Sequence, residues 1–76
     1  MGEETKEVWI KGKQGGIACL TITEWPDGLV HVCGEEDHVT RPMVRKWARK
    51  NYKDATIYDA YFGDGCVGIQ LRKGKD

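Results

Sequence analysis

Residues 17–34 have the sequence IACLTITEWPDGLVHVCG, and this stretch decides the fold. Its two halves, residues 17–25 and 29–34, are rich in β-branched residues, which is typical of strands. Between them lie Pro26, Asp27 and Gly28, the residue types of a tight turn, because proline presets φ and glycine accepts a positive φ. The stretch therefore predicts a β-hairpin closed by a three-residue loop.

The same turn predicts the register of the hairpin. If Trp25 faces Leu29, then Glu24 faces Val30, and alternate side chains point to opposite faces of the sheet. The face predicted to meet the core collects the apolar residues Leu20, Ile22, Val30 and Val32. The outer face collects Cys19, Thr21, Thr23, Trp25, His31 and Cys33, together with Trp9 from the preceding strand.

Three further strands are predicted around this hairpin. Residues 7–11 alternate apolar and polar side chains, and residues 56–62 and 66–72 flank a glycine-containing turn. For that turn we favour a two-residue Asp64-Gly65 loop, because a three-residue loop would point Asp59 into the core without a partner. The favoured register pairs Phe62 with Val67, Ala60 with Ile69 and Tyr58 with Leu71.

A helix is predicted between the two groups of strands. Thr40 or Arg41 is expected to cap it, with Pro42 in its first turn, where a missing N–H costs nothing. Its apolar stripe consists of Met43, Val44, Trp47, Ala48 and Asn51, with Trp47 expected at the centre of the core. The predicted fold class is α+β, an antiparallel sheet of about five strands in the chain order β-β-β-α-β-β with one amphipathic helix packed on one face.

Length and composition predict one small domain. The 76 residues allow a single core, and residues 1–6 and 73–76 are expected to lie outside its ordered part. No apolar run approaches the roughly 18 residues of a membrane span, so no membrane partner is expected. Three cysteines, spaced without the pattern of a disulfide framework, favour free thiols and a cytoplasmic protein.

Charge is balanced overall but distributed unevenly. The chain has 12 basic and 12 acidic residues, yet residues 38–53 contain six cations and no acid. The segment therefore carries +6 and the remainder of the chain −6. On the predicted helix these cations lie opposite the apolar stripe and form one face, consisting of Arg41, Arg45, Lys46, Arg49, Lys50 and Lys53.

A concentrated basic face favours an anionic partner. The leading hypothesis is a nonenzymatic module that binds nucleic acid, with these cations on backbone phosphates. The alternative is a protein-interaction or inhibitory module that docks an acidic protein surface through the same helix, or a homodimer that pairs the helix with the acidic remainder of a second copy. A third interpretation is a solvated face compensated by nearby acids, for which the candidates are Glu24, Glu35, Glu36, Asp37 and Asp54.

The predicted outer sheet face is a second candidate surface. Trp9 and Trp25 would lie there among polar groups, where nucleic-acid bases or a protein partner could stack on them. The alternative interpretation is that both rings cover the edges of the sheet.

A metal site and a catalytic site are the remaining possibilities. Cys19, His31 and Cys33 share the outer face and come nearest to a ligand set, but the chain lacks the tight C-x₂₋₄-C spacing of structural zinc sites. Its carboxylate pairs show no sign of a cleft for acid and base chemistry. The sequence therefore predicts no metal, no cofactor and no enzymatic activity.

Overall fold

The structure, a computed structural model, describes residues 2–63 and 65–74, and for residues 59–63 it describes the backbone alone. The elements are β1 (Glu4–Lys11), β2 (Ile17–Glu24), β3 (Leu29–Glu35), α1 (Arg41–Asn51), β4 (Thr56–Gly63) and β5 (Cys66–Arg72). The five strands form one antiparallel sheet, and α1 packs on one face of it against β3 and β5. The predicted α+β class is confirmed.

The spatial order of the strands is β1-β2-β3-β5-β4, which departs from chain order in one place. β5 rather than β4 lies beside β3, so α1 connects two parallel strands, β3 and β4, that have β5 between them. The reason is burial. Val67, Ile69 and Leu71 of β5 are all fully buried, and a strand in the middle of the sheet, with neighbours on both sides, favours such burial.

The predicted register of the first hairpin is confirmed. Glu24 lies opposite Val30, and the pairing continues residue by residue along both strands. The loop closes with a hydrogen bond of 2.9 Å from the Trp25 N–H to the Leu29 carbonyl and one of 3.0 Å from the Gly28 N–H to the Trp25 carbonyl. Gly28 has a φ of 95°, the left-handed conformation for which the turn needs glycine.

The second hairpin follows its predicted register only in part. Two of the predicted pairs are confirmed, Phe62 with Val67 and Ala60 with Ile69. The third, Tyr58 with Leu71, is wrong, because a β-bulge puts Ile57 opposite Leu71. The bulge lets Ile57 pack against the core and leaves Tyr58 56% exposed. Asp64, the predicted first residue of the turn, lies outside the described residues.

The ordered strands extend further than the sequence predicts. β1 begins at Glu4 rather than at residue 7, and Thr5 pairs with Thr23, with their hydroxyl oxygens 3.3 Å apart. At the other end of the chain, the Lys73 N–H donates to the Gly28 carbonyl at 2.9 Å. These pairings involve short polar segments at the two ends of the chain. Because the segments contain few apolar residues, their sequence lacks the alternating pattern from which a strand is predicted.

One cluster of fully buried residues forms the core between the sheet and the helix. Its members are Ala18, Leu20, Ile22, Val30, Val32, Val39, Val44, Ala48, Val67, Ile69 and Leu71, which include all the predicted core residues of the first hairpin. The helix contributes Val44 and Ala48, whose small side chains allow it to lie close to the sheet. Trp47, expected at the centre, is instead half-buried on the flank of α1, with its ring 6.0 Å from that of Tyr52 in an edge-to-face arrangement.

The ends of α1 follow the predicted capping signals. The Thr40 hydroxyl accepts a hydrogen bond of 3.4 Å from the Met43 N–H, and proline occupies the first turn. The helix ends at Asn51, which is exposed and donates its side-chain amide to the Trp47 carbonyl at 2.8 Å. At eleven residues, α1 is too short to cross a membrane, and within the described residues no other segment forms such a helix.

Gly34 provides a test of this core. A Cβ at this position would lie 2.9 Å from both Leu20 Cδ2 and Val39 Cγ2, whereas a Cβ at Gly16 would meet nothing within 4 Å. We expect Gly34→Ala to lower the free energy of unfolding by about 1 to 3 kcal/mol, because the core is overpacked. Gly16→Ala, the control, should change it by less than about 0.5 kcal/mol. Urea denaturation measures both, and equal stabilities would show that Val39 does not pack on Gly34.

Candidate functional site

The basic helix face consists of Arg41, Arg45, Lys46, Arg49, Lys50 and Lys53, and the structure places these residues on and just after α1. All are exposed except Arg45, which is half-buried on the flank of the helix. The Nε of Arg45 is buried and has no hydrogen-bond partner among the described residues. Arg45 is therefore the member whose guanidinium is least available to a ligand, and the accessible charge lies on Lys46, Arg49, Lys50 and Lys53.

These accessible cations have no acidic partner among the described side chains. The ion pairs within 4.0 Å join Lys6 to Glu24, Glu35 to His38, Asp27 to Arg72, and Glu24 to Lys73. None of these pairs includes Lys46, Arg49 or Lys50. Direct pairing with the described acids therefore leaves the charges of Lys46, Arg49, Lys50 and Lys53 uncompensated.

Glu24, one of the acids expected to compensate the helix, is occupied by other partners. Its carboxylate accepts a hydrogen bond of 2.9 Å from Lys73 Nζ and one of 2.6 Å from the Tyr52 hydroxyl. These two hydrogen bonds lower the pKa of Glu24. Partial burial and the bond to Glu24 raise the pKa of Tyr52. The carboxylate thus fastens the segment after α1 to the end of β2.

The acidic segment 35–37 lies at the N-terminal end of α1, directly before its cap. The Glu35 carboxylate is on the outer side of the sheet, 3.3 Å from His38 Nδ1, and the exposed Glu36 accepts a hydrogen bond from Lys13 through its backbone carbonyl. Arg49 lies roughly 12 Å further along the helix axis than the first helical residue, at a rise of 1.5 Å per residue. The acids of residues 35–37 and the C-terminal cations of the helix are therefore at opposite ends of α1, whereas Glu24 and Asp54 lie near its C-terminal end.

A hollow of about 360 Å³ lies beside the C-terminal end of α1. Its charged lining residues are Arg49 and Lys53, and Ala48, Ile57 and Leu71 form its apolar part. Two cations beside one shallow hollow favour an anionic group, because charges of one sign that line a cleft add their fields there.

The outer sheet face lies on the opposite side of the sheet from α1. Trp9 is 62% exposed on β1 and pairs with Cys19. Trp25 is half-buried beyond the end of β2, six residues from Cys19, which is about 20 Å along a strand. The structure therefore does not bring the two tryptophans together, and neither forms one surface with the basic helix face.

Three thiols share this outer face. Cys19, Cys33 and Cys66 are free and half-buried, and they line a shallow hollow of about 410 Å³ together with Glu7 and Glu35. Cys66 could not be grouped with the others from the sequence, because it reaches them only through the pairing of β5 with β3. It lies directly opposite Glu35 in that pairing.

Two of the three thiols in this hollow, those of Cys19 and Cys33, have raised pKa values. Partial burial raises the pKa of Cys19 and of Cys33, and the carboxylates of Glu7 and Glu35 raise that of Cys19 further. Burial also lowers the pKa of His31. Among the residues that the structure describes, no group of three histidine, cysteine or acidic side chains is placed to hold a metal ion. The raised pKa values disfavour the thiolate forms of Cys19 and Cys33.

Comparison with known proteins gives no relative from which a function could be transferred. No protein-family model matches the chain, and neither a curated protein nor a solved structure matches it significantly. The surfaces described above are therefore the basis for assigning a function.

The hydrogen bonds of Glu24 with Tyr52 and Lys73 make the stability of the fold depend on pH. Folding lowers the pKa of Glu24 below its value in the unfolded chain. The ionised carboxylate therefore stabilises the fold fully at pH values above the unfolded-state pKa, and this stabilisation is lost as pH falls through the folded-state pKa. We expect the unfolding midpoint of the protein to fall between about pH 5 and pH 3. Glu24→Gln should reduce this fall, as measured by thermal denaturation across that range. The control is Glu36→Gln, at an exposed carboxylate, and an equal effect of the two substitutions would contradict the assignment.

Proposed function

We propose that this chain is a nonenzymatic module of the cytoplasm that binds nucleic acid through the basic helix face. The observation that carries the proposal is the set of exposed cations Lys46, Arg49, Lys50 and Lys53, which pair with none of the described acids. Backbone phosphates are the polyanion whose repeated charge suits a row of lysines and arginines. Each phosphate contact gains free energy by releasing condensed counterions.

The shape of the surface supports this partner. The helix presents these cations on the side that faces away from the sheet, and the major groove of a duplex is wide enough to admit an α-helix. Arg49 and Lys53 also flank the hollow beside the end of α1, where one phosphate group could lie between them. A phosphate backbone could thus contact both the exposed cations along α1 and the hollow beside its C-terminal end.

The expected binding is independent of sequence. Asn51 is the residue of this region that could read a base edge, and its amide is already engaged with the Trp47 carbonyl. The remaining accessible cations are lysines and arginines, and no ion pair with a described acid orients Lys46, Arg49 or Lys50 toward a base. Contacts to phosphates position a protein on a duplex but carry no sequence information.

An acidic protein surface is the competing partner for the same cations. It would also bind more weakly as salt rises, but it lacks the condensed counterions of a duplex and should give a shallower salt dependence. The slope of affinity against salt therefore separates the two partners.

Salt dependence tests the proposal. Fluorescence anisotropy with a labelled duplex and a single-stranded RNA should give a log-log slope of affinity against salt of about −3 to −5, for four to six phosphates. Arg49→Gln and Lys46→Gln should each weaken binding and reduce the slope by about one. The matched control is Arg72→Gln, which removes one cation from the other side of the sheet and should leave the slope unchanged.

Three outcomes would contradict the proposal. A failure to bind any DNA or RNA at low salt would remove nucleic acid as the partner. Binding to polyglutamate in place of nucleic acid would assign the cations to an acidic protein surface. Binding that only Arg72→Gln weakens would move the site to the outer sheet face.

A further inference from the structure

β1 is the outermost strand on its side of the sheet, and half of its backbone groups point away from β2. The Gly12 N–H donates to the Gly16 carbonyl at 2.6 Å, so these two residues face each other as a hydrogen-bonded pair. Such pairs alternate along an antiparallel ladder, and those next in line are Ile10 with Ala18 and Val8 with Leu20. The odd-numbered residues of β1 therefore direct their N–H and C=O groups to the open edge.

The hydrogen bonds on the other side of β2 agree with this assignment. The Trp25 N–H bonds to the Leu29 carbonyl, so the odd-numbered residues of β2 bond to β3 and its even-numbered residues bond to β1. On β1, the groups left for another strand are those of Thr5, Glu7, Trp9 and Lys11.

This edge has the features of a strand that can accept another strand. Its register with β2 is continuous from Glu4 to Lys11, and it contains no proline or glycine. By contrast, β4 at the opposite edge carries the bulge between Ile57 and Asp59. β1 has none of the bulges, prolines or short length that block edge-to-edge pairing. Its protection consists of charged side chains, Glu4, Lys6, Glu7 and Lys11, which admit only a partner strand whose charges match.

We propose that two copies of this chain pair through β1 in antiparallel orientation, with Trp9 opposite the partner's Trp9. Because only outward-pointing residues can form the hydrogen-bonded pairs, odd-numbered residues must face odd-numbered residues. In the proposed register Glu7 lies opposite the partner's Lys11, and two-fold symmetry makes this pair twice. Each of these residue pairs exchanges two N–H···O hydrogen bonds.

Charge selects this register over its neighbours. Shifting by one residue pair puts Glu7 opposite the partner's Trp9 and leaves both charges unmatched. A further shift puts Glu7 opposite the partner's Glu7, which is repulsive. A shift in the other direction would put Glu7 opposite the partner's Lys13, which lies beyond β1 and whose N–H already donates to the His38 carbonyl. Among registers centred between Glu7 and Lys11, the Trp9 register therefore matches opposite charges within β1 on both sides of the axis, and it places two large exposed rings together.

The side chains on the core face also match in this register. Val8 lies opposite the partner's Ile10, and both are partly buried and pack against the core of their own chain. They would form non-hydrogen-bonded pairs, in which side chains approach most closely. The hydrophobic layer of each copy would thus continue into the other.

The product is a closed two-fold dimer with one continuous sheet. It differs from an assembly in which the basic helix face of one copy meets the acidic remainder of the next, because a head-to-tail contact need not close and can grow. The pairing of β1 does not depend on the proposed nucleic-acid binding, since it uses none of the cations of α1.

Amide hydrogen exchange tests which backbone groups are used. We expect the N–H groups of Glu7, Trp9 and Lys11 to become protected as protein concentration rises. Those of Val8 and Ile10, already bonded to β2, should be protected at every concentration. Association without added protection of the odd-numbered residues would place the interface elsewhere and overturn the proposal.

Charge exchange tests the register. In sedimentation equilibrium, Lys11→Glu should weaken the dimer on the order of tenfold, because both symmetric pairs change from attraction to repulsion. Adding Glu7→Lys to this variant restores opposite charges and should restore the dimer. The control is Lys46→Glu, on α1, which should leave association unchanged. A monomer at all soluble concentrations, growth beyond a dimer, or failure of the double variant to recover would overturn the proposal.

Discussion

The antiparallel pairing of β3 with β5 is the constraint on which the rest of the structure depends. It joins the N-terminal three strands to the C-terminal hairpin, with Val32 opposite Ile69 and Val30 opposite Leu71, all four fully buried. The C-terminal hairpin would be marginal in water as an isolated two-stranded unit, and it gains stability by joining a larger sheet. The helix covers this seam, because it contacts β3 and β5. Both the basic helix face and the outer hollow take their positions from this one pairing.

Local chemistry explains which parts of the fold could be predicted from sequence. The Pro26-Asp27-Gly28 turn determines a register that extends along two strands, and Thr40 with Pro42 determines the start of the helix, so each prediction needed only neighbouring residues. The place of β5 in the sheet could not be predicted, because it depends on a contact across more than thirty residues of chain. For the same reason the sequence could not place Cys66 beside Glu35.

Other predictions failed because side-chain size competes with periodicity. The position of Trp47 agrees with a helical apolar stripe, yet the helix approaches the sheet through Val44 and Ala48, and a large ring between them would hold the layers apart. Tyr58 fits an alternating strand, but the bulge gives Ile57 the inward position. In both cases the smaller aliphatic side chain packs into or against the core, and the aromatic residue that carries a polar group lies nearer the solvent.

The cations of the basic helix face repel each other, and the helix dipole offsets part of this repulsion. Cations four residues apart repel each other by about 0.2 to 0.5 kcal/mol per pair. However, Arg49 and Lys50 lie in the last turn, where the helix dipole favours positive charge by a similar amount. Repulsion alone therefore gives no reason for a partner. The argument for one depends instead on the absence of an ion pair between Lys46, Arg49, Lys50 or Lys53 and any described acid, with Glu24 and Glu35 paired to other residues.

The two proposals become linked through symmetry. A two-fold axis through the pair of Trp9 residues is perpendicular to the sheet, so the helices of both copies lie on the same side of it. Each helix lies over β3 and β5, and the two helices would be six strand spacings apart, about 29 Å before twist. This is close to one turn of a duplex, roughly 34 Å. A dimer would double the number of phosphates within reach of one partner, and its affinity for nucleic acid would rise with protein concentration through the range in which β1 pairs.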